Sequence, residues 1–386
     1  MTEKPLVEGY CAEEFAAVSR AFAANFSNQL TPQQRDIGAS VAVVHNGKVV
    51  VDLWGGYKDS NRTIPWGQDT LACAMSTTKA FATVAVLQLV DRKVIDLEAP
   101  IADYWPEFAQ AGKENISVSC LLAQLAGLPL IDNAKPNSFF IPGYLETALA
   151  AQRPLWPPGS TPCYHSFTYG PLCQILVEKV TGKSLGTYLR DEILGPLNID
   201  FHLGVPHELL TQCADVILAE NIPTISQAAE DGSLMSRAWM PLPLSAEVFN
   251  SDRYRQIEFA SGNGYGNARG LAKFYAALCA DVNGKQPPNI ISHAVLEAAI
   301  EEQWDDIEQQ TERHFRYSTG FMLNNDFFNM GRNPRSFGHP GLGGALGFAD
   351  PDAKIAFGYV GNYVHPINNT GPCAQALIDA TFASMK

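Results

Sequence analysis

The sequence predicts a mixed α/β protein in which a mainly helical lobe is inserted into a discontinuous α/β lobe. Three observations lead there. Strand candidates lie towards both ends of the 386-residue chain, helical patterns between proline-punctuated loops fill the middle, and no strand pair stands out in that middle. Residues 1–100 and 260–386 form the first lobe and 101–259 the second, with the active site expected in the cleft between them. A chain of this length exceeds one ordinary core, which suits the two-lobed reading.

Taken in order, positions 13–26 carry Phe15, Val18 and Phe22 at helical spacing. Positions 37–53 read as a hairpin, because Asn46-Gly47 separates Val41-Ala42-Val43-Val44 from Val49-Val50-Val51. An apolar helix follows at 80–93. The middle holds helical patterns at 118–126, 144–151, 169–180 and 185–193. Beyond 260, helices are expected at 269–279 and 292–303, strands at 317–322, 344–350 and 355–361, and a last helix at 374–385.

Composition narrows the function. Hydrophobic residues at 46 % and charged residues at 17 % describe a globular protein. The formal net charge of −13, with no clustered basic run, argues against nucleic acid or an anionic membrane as a partner. The first residues are polar and no apolar stretch reaches a membrane span. Eight cysteines are scattered through apolar segments and read as reduced thiols, so the expected compartment is the cytoplasm.

The segment Met75-Ser76-Thr77-Thr78-Lys79 places a serine three residues before a lysine, on one helical face. A serine hydroxyl is a weak nucleophile until a neighbouring base takes its proton. Burial and a helix N-terminus both push Lys79 towards the neutral amine that can do so. Gly182-Lys183-Ser184-Leu185-Gly186 competes as a Gly-x-Ser-x-Gly elbow. It lacks the preceding strand that the elbow needs, so Ser184 reads as a helix cap. No His-Glu-x-x-His or Cys-x-x-Cys occurs, so neither a metal nor an organic cofactor is expected. The glycines in 261–266 fit no dinucleotide fingerprint and read as a loop.

Two further clusters matter. Cys163-Tyr164-His165-Ser166 brings a phenol to the start of a helix, and Phe337-Gly338-His339-Pro340-Gly341-Leu342-Gly343-Gly344 is a glycine-rich run before a strand. Taken alone, Tyr164 reads as a packed loop tyrosine, His339 as a structural histidine and His165 as an exposed one. Taken together with Ser76 and Lys79, the order Ser-x-x-Lys, Tyr-x-Ser, His-x-Gly resembles the class C β-lactamase-like serine hydrolases, and within them the family VIII carboxylesterases. The similarity runs almost end to end, through Val51-Asp52-Leu53-Trp54-Gly55-Gly56, Tyr104-Trp105-Pro106-Glu107-Phe108 and Gly347-Phe348-Ala349-Asp350.

The resemblance implies a β-lactamase/transpeptidase-like fold, an antiparallel sheet flanked by helices with an inserted helical domain. It implies that Ser76 is the acyl-accepting nucleophile, that Lys79 and Tyr164 share the base role, and that the backbone N–H groups of Ser76 and Leu342 form the oxyanion hole. Ser166, His339 and Gly341 would line the substrate site. Three departures stand out: His339 replaces the lactamase lysine, Ser166 replaces an asparagine, and Gln124 replaces a histidine of the family pattern. The first two favour neutral esters over lactams. The expected activity is therefore a serine carboxylesterase acting on small or short-chain acyl esters. An acyltransferase, a β-lactam or D-amino-acid peptide hydrolase and a silent binding protein are the rivals. Phe139, Phe140, Trp156, Trp239 and Phe249 are candidates for the substrate pocket.

Overall fold

Asn46 and Gly47 both adopt positive φ (50° and 70°), the backbone that a tight hairpin turn needs, and fold two valine-rich strands together. The computed structural model describes residues 7–27, 30–31, 34–219, 232–242, 245–279, 290–366 and 369–385. Its strands are β1 (Val7–Cys11), β2 (Gly38–His45), β3 (Lys48–Gly56), β4 (Ala72–Cys73), β5 (Phe201–His202), β6 (Ile217–Leu218), β7 (Tyr265–Gly266), β8 (Trp304–Ile307), β9 (His314–Tyr317), β10 (Met322–Leu323), β11 (Phe337–Pro340), β12 (Leu346–Asp350), β13 (Ile355–Gly361) and β14 (Tyr363–Val364).

Among the described residues, one antiparallel sheet has the order β1-β3-β2-β13-β12-β11-β10-β9-β8. Strands from the two ends of the chain meet where β2 pairs with β13. Alternate residues then serve opposite faces. Val41, Val43, Phe348 and Phe357 pack with Phe15, just before the helix Ala16–Ala24, with Val18 and Phe22 in that helix, and with Leu377 and Phe382 from the helix Pro372–Ala383. Ala42, Val44, Ala356 and Val360 face the opposite way, towards the cluster that holds the helices Lys79–Asp91 and Ala268–Leu278. The helix Lys79–Asp91 has no polar face: every residue from Lys79 to Leu89 is buried. It runs through the middle of the molecule, a rigid seat for what precedes it.

Several expectations shift in detail. The strand predicted at 317–322 is a turn between β9 and β10. Gly320 there has φ +101° and leaves room for the Thr83 side chain, which a Cβ would meet at 2.3 Å. The helix predicted at 118–126 ends at Leu122, because Gln124 and Gly127 take φ of +62° and +69°. The helix predicted at 292–303 is shorter, His293–Ala299, and is followed by β8. The middle segment is not free of strands: β5 pairs with β7 and β6 with β14.

Candidate active site

Met75–Thr78 forms a tight turn that runs directly into the helix Lys79–Asp91. Met75 sits at φ +48°, a conformation side chains seldom adopt, and so lifts Ser76 into view. The loop 261–266 braces this turn from behind: Ala74 N donates to Gly264 O at 2.8 Å, and Gly264 N donates to Thr78 Oγ1 at 3.0 Å. Gly264 must be glycine, since a Cβ would lie 2.1 Å from the Phe201 ring.

Lys79 is fully buried, and its Nζ has three neighbours: Ser261 O at 2.7 Å, Ser166 O at 2.9 Å and Ser76 Oγ at 3.1 Å. Burial pushes its pKa well below the ordinary 10.5. A neutral amine has two N–H donors for the two carbonyls and one lone pair left for the serine proton. A second buried lysine provides the contrast. Lys113 Nζ is surrounded by three carbonyls, Gln110 O, Ala150 O and Gln152 O at 2.7–2.8 Å, which suits a structural ammonium and leaves it nothing to deprotonate. Lys79 is the lysine with a serine in the third place.

Tyr164 lies on the other side of Ser76. It lines the same cavity as Ser76, whose side chain acts on the phenol, and Lys79 Nζ sits 5.0 Å from its ring centroid. Burial raises the phenol above its ordinary 10, so the hydroxyl keeps its proton. The residue that fixes Tyr164 was not foreseen. Glu308, fully buried, accepts from Tyr164 N at 2.7 Å and from Gln310 N at 2.8 Å, and it also accepts from Thr311 N and Thr311 Oγ1. No local pattern marks such a residue, because its partner is 144 positions away.

The end of β11 closes the site. A Cβ on Gly341 would meet Ala74 O at 2.6 Å and Met75 Cβ at 3.1 Å, so only glycine lets this strand end lie on the Ser76 turn. Gly341 N donates to Ala345 O at 2.6 Å and is spent within its own turn. The next residue, Leu342, lies on the pocket wall. His339, expected to meet substrate, is instead fully buried and stands behind the pocket lining. Its ring bonds Pro340 O through Nδ1 at 2.7 Å, and burial pushes its pKa down to about 3. It is a neutral support, 6.0 Å from the Tyr164 ring.

His165 is also corrected. It is buried rather than exposed, with Nε2 accepting from Leu128 N at 2.9 Å and Nδ1 against Cys163 O at 2.6 Å. Gln124, at the departure from the family pattern, is buried and donates to Tyr317 OH at 2.7 Å while accepting from His165 N. It holds the Tyr164 loop and touches no reacting group. Ser184 caps its helix and bonds Glu258 Oε1 at 2.7 Å, which removes it as a rival nucleophile.

A cavity of about 150 Å³ opens over Ser76 and Tyr164. Ser166, Met235, Trp239, Phe315, Phe328 and Leu342 form much of its wall, with Arg313 at one side. Ser166 Oγ accepts from Trp239 Nε1 at 2.8 Å. Of the aromatic residues expected around substrate, Trp239 alone lines this cavity among the described residues. Phe139 packs against Phe167 and Phe259, and Phe249 against Tyr254. A larger groove of about 490 Å³, bordered by Asp69, Asp200, Arg269 and Lys273, holds no nucleophile paired with a base.

Among the described residues one trio has metal-ligand chemistry: Asp36, His365 and Cys373, all buried and within 4.8 Å of one another. The Asp36 carboxylate already accepts from Tyr359 OH at 2.8 Å and contacts His365 Nε2 at 3.1 Å. Cys373 Sγ donates to Gln34 O at 3.2 Å, so these residues also tie the N- and C-terminal segments together.

The sequence profile of the Beta-lactamase family matches residues 17–382. A curated relative, the esterase/beta-lactamase LipL of Mycobacterium tuberculosis, is 31 % identical over 367 residues, 92 % of this chain and 83 % of that protein. The crystal structure of a family VIII carboxylesterase superposes with a TM-score of 0.88 at 34 % identity, covering 98 % of this chain and 100 % of the other. A penicillin-binding protein homolog from Caulobacter crescentus gives the same TM-score and coverage at 32 % identity.

Proposed function

Because this chain belongs to the Beta-lactamase family, we propose that Ser76, Lys79 and Tyr164 are its catalytic residues. The protein is a serine hydrolase that opens carboxylic esters through an acyl-enzyme, and the substrates proposed for it are small, with short acyl chains that suit a cavity of about 150 Å³. The proposed seat of the chemistry is the seam between the 1–100/260–386 lobe and the 101–259 lobe. Ser76 and Gly341 come from the first, Tyr164 and Ser166 from the second. All eight cysteines are free thiols, in keeping with a reducing compartment such as the cytoplasm.

Neutral Lys79 takes the Ser76 proton as Oγ attacks the ester carbonyl carbon. The charge that develops on the carbonyl oxygen is met by the backbone N–H groups of Ser76 and Leu342. As the C–O bond breaks, Tyr164 gives its proton to the departing alkoxide and is reprotonated from Lys79. Water then repeats the sequence on the acyl-enzyme: it loses its proton to the Lys79–Tyr164 pair, and Ser76 leaves with a proton regained.

The observation that carries this reading is the pair of carbonyls on Lys79 Nζ, which leaves its lone pair to Ser76 at 3.1 Å. A fluorophosphonate followed by peptide mapping tests it. The adduct is expected on Ser76 and is expected to vanish in Ser76→Ala. A label on Ser184, or none at all, overturns the assignment.

A further inference from the structure

We propose that Arg313 is a carboxylate anchor, so that preferred substrates are esters bearing a carboxylate in one arm. The inference rests on the reading of Ser76 as nucleophile. Among the described lining residues of the Ser76 cavity, Arg313 carries the one charge in an otherwise neutral, largely apolar wall. The other cations close to the reaction are out of play: Lys79 is held neutral and His339 is neutral and buried.

Arg313 ends the loop 308–313 between β8 and β9, and its own carbonyl accepts from Glu308 N at 3.0 Å. Its guanidinium forms no hydrogen bond or ion pair with any described residue; the Phe327 ring, 6.0 Å away, is its aromatic neighbour. Glu308 is the acidic group whose charge reaches it, and Tyr164 the phenol. Both Glu308 oxygens, however, are occupied by Tyr164, Gln310 and Thr311. Burial costs Arg313 part of its hydration, and no described residue replaces it. A planar fork of donors with no described protein partner, on the wall of an ester-hydrolase pocket, matches a carboxylate held by two parallel hydrogen bonds. The Glu308 hydrogen bonds hold the backbone of the loop that carries Arg313 in place relative to Tyr164.

The departure of lysine from the strand at His339 therefore does not leave the site without a cation. It moves the positive charge from beside the β11 strand to the β8–β9 loop. A substrate carboxylate in the acyl arm (a half-ester of a short dicarboxylic acid) and one in the alcohol arm (an ester of a hydroxy acid) present the same group, and matched substrates separate them.

The test measures kcat/KM for two pairs: monomethyl adipate against its primary amide, and 4-carboxyphenyl butyrate against 4-carbamoylphenyl butyrate. The readout is the acid-to-amide ratio within each pair, which is independent of the amount of folded enzyme. The ratio is expected to exceed one in the pair whose arm reaches Arg313, to fall about tenfold or more in Arg313→Gln, and to recover in part in Arg313→Lys. It should also shrink in about 0.5 M salt, because the contact is partly exposed. Ratios below one in both pairs overturn the anchor. So does a ratio that Arg313→Gln leaves alone while both rates fall, which would make Arg313 a support for Tyr164. An enzyme that takes no fluorophosphonate on Ser76 and leaves both butyrates intact overturns the serine reading itself.

Discussion

The backbone N–H of Tyr164 donates to the buried carboxylate of Glu308 at 2.7 Å. The same carboxylate gathers Gln310 and Thr311, so one side chain fixes both the phenol beside Ser76 and the loop that ends at Arg313. Glu308→Gln exchanges an acceptor oxygen for an amide that cannot accept, and at least one buried N–H loses its partner at a cost of about 1–3 kcal/mol. Turnover by this variant should fall about 10- to 100-fold in kcat with a smaller change in KM, since the loss lies in placing Tyr164. Steady-state kinetics decide it, and an unchanged kcat would remove Glu308 from that role.

In the proposed mechanism Ser76, Lys79 and Tyr164 share one proton path, so their losses should not add. Ser76→Ala is expected to lower kcat by about four to six orders of magnitude, and Lys79→Ala and Tyr164→Phe by large factors of their own. The Lys79→Ala/Tyr164→Phe double variant should be little worse than the poorer single one. A product of the two separate losses would mean that the residues act independently.

How much of this was legible beforehand depended on distance along the chain. The Asn46-Gly47 hairpin and β13 carry their signals within a few residues, and Ile355–Gly361 matches its expected bounds. Ser76 and Lys79 were equally visible, because one helical turn brings them together. The edge strands β1 and β8 were not: mostly solvent-facing, they lack the alternation of apolar residues that announces a strand. The burial of His165 and His339, the hold of Glu308 on Tyr164 and the entry of Arg313 into the pocket all depend on contacts between distant segments. No local window contains them.

The pH dependence follows from Lys79. Its neutral form is the proposed base, so kcat/KM should rise with pH through an apparent pKa that belongs to the Lys79–Tyr164 pair and lies below 10.5. His165, pushed down to about 4, and His339, at about 3, are neutral well below that limb. His339→Gln should therefore leave its position unchanged. Stability carries the same sign. Between the folded and unfolded pKa values of Lys79 the unfolded chain holds one more proton, so this group adds stability with rising pH, about 1.4 kcal/mol per unit, up to the ordinary value near 10.5. Urea unfolding at two pH values in that window should show the wild type gaining on Lys79→Met; a constant difference would mean a charged lysine in the fold.

Gly341→Ala tests the oxyanion hole. The added methyl meets Ala74 O at 2.6 Å and Met75 Cβ at 3.1 Å, so β11 and the nucleophile turn must move apart. The Leu342 N–H then loses its aim at the carbonyl oxygen. Removing one such donor costs about two to three orders of magnitude in kcat, and a loss of that size is expected here with the fold retained by circular dichroism. Near-normal kcat would show that the hole lies elsewhere.

Trp239 sets the depth of the pocket in the direction of Ser166. Its indole is pinned by the Nε1 hydrogen bond to Ser166 Oγ at 2.8 Å and by edge contacts with Phe167 and Phe259, so it cannot swing away for a longer chain. Each methylene that fits an apolar pocket is worth about 0.8 kcal/mol, and each that clashes loses at least that. Trp239→Ala should therefore move the optimum of kcat/KM in a series of p-nitrophenyl esters to longer acyl groups, lowering the rate on acetate while raising it on octanoate. Trp239→Phe keeps the bulk and releases the Ser166 hydroxyl, which separates pocket depth from the hydrogen bond. If both variants keep the wild-type profile of chain lengths, the acyl group lies along the opposite wall, beside Phe315 and Phe328.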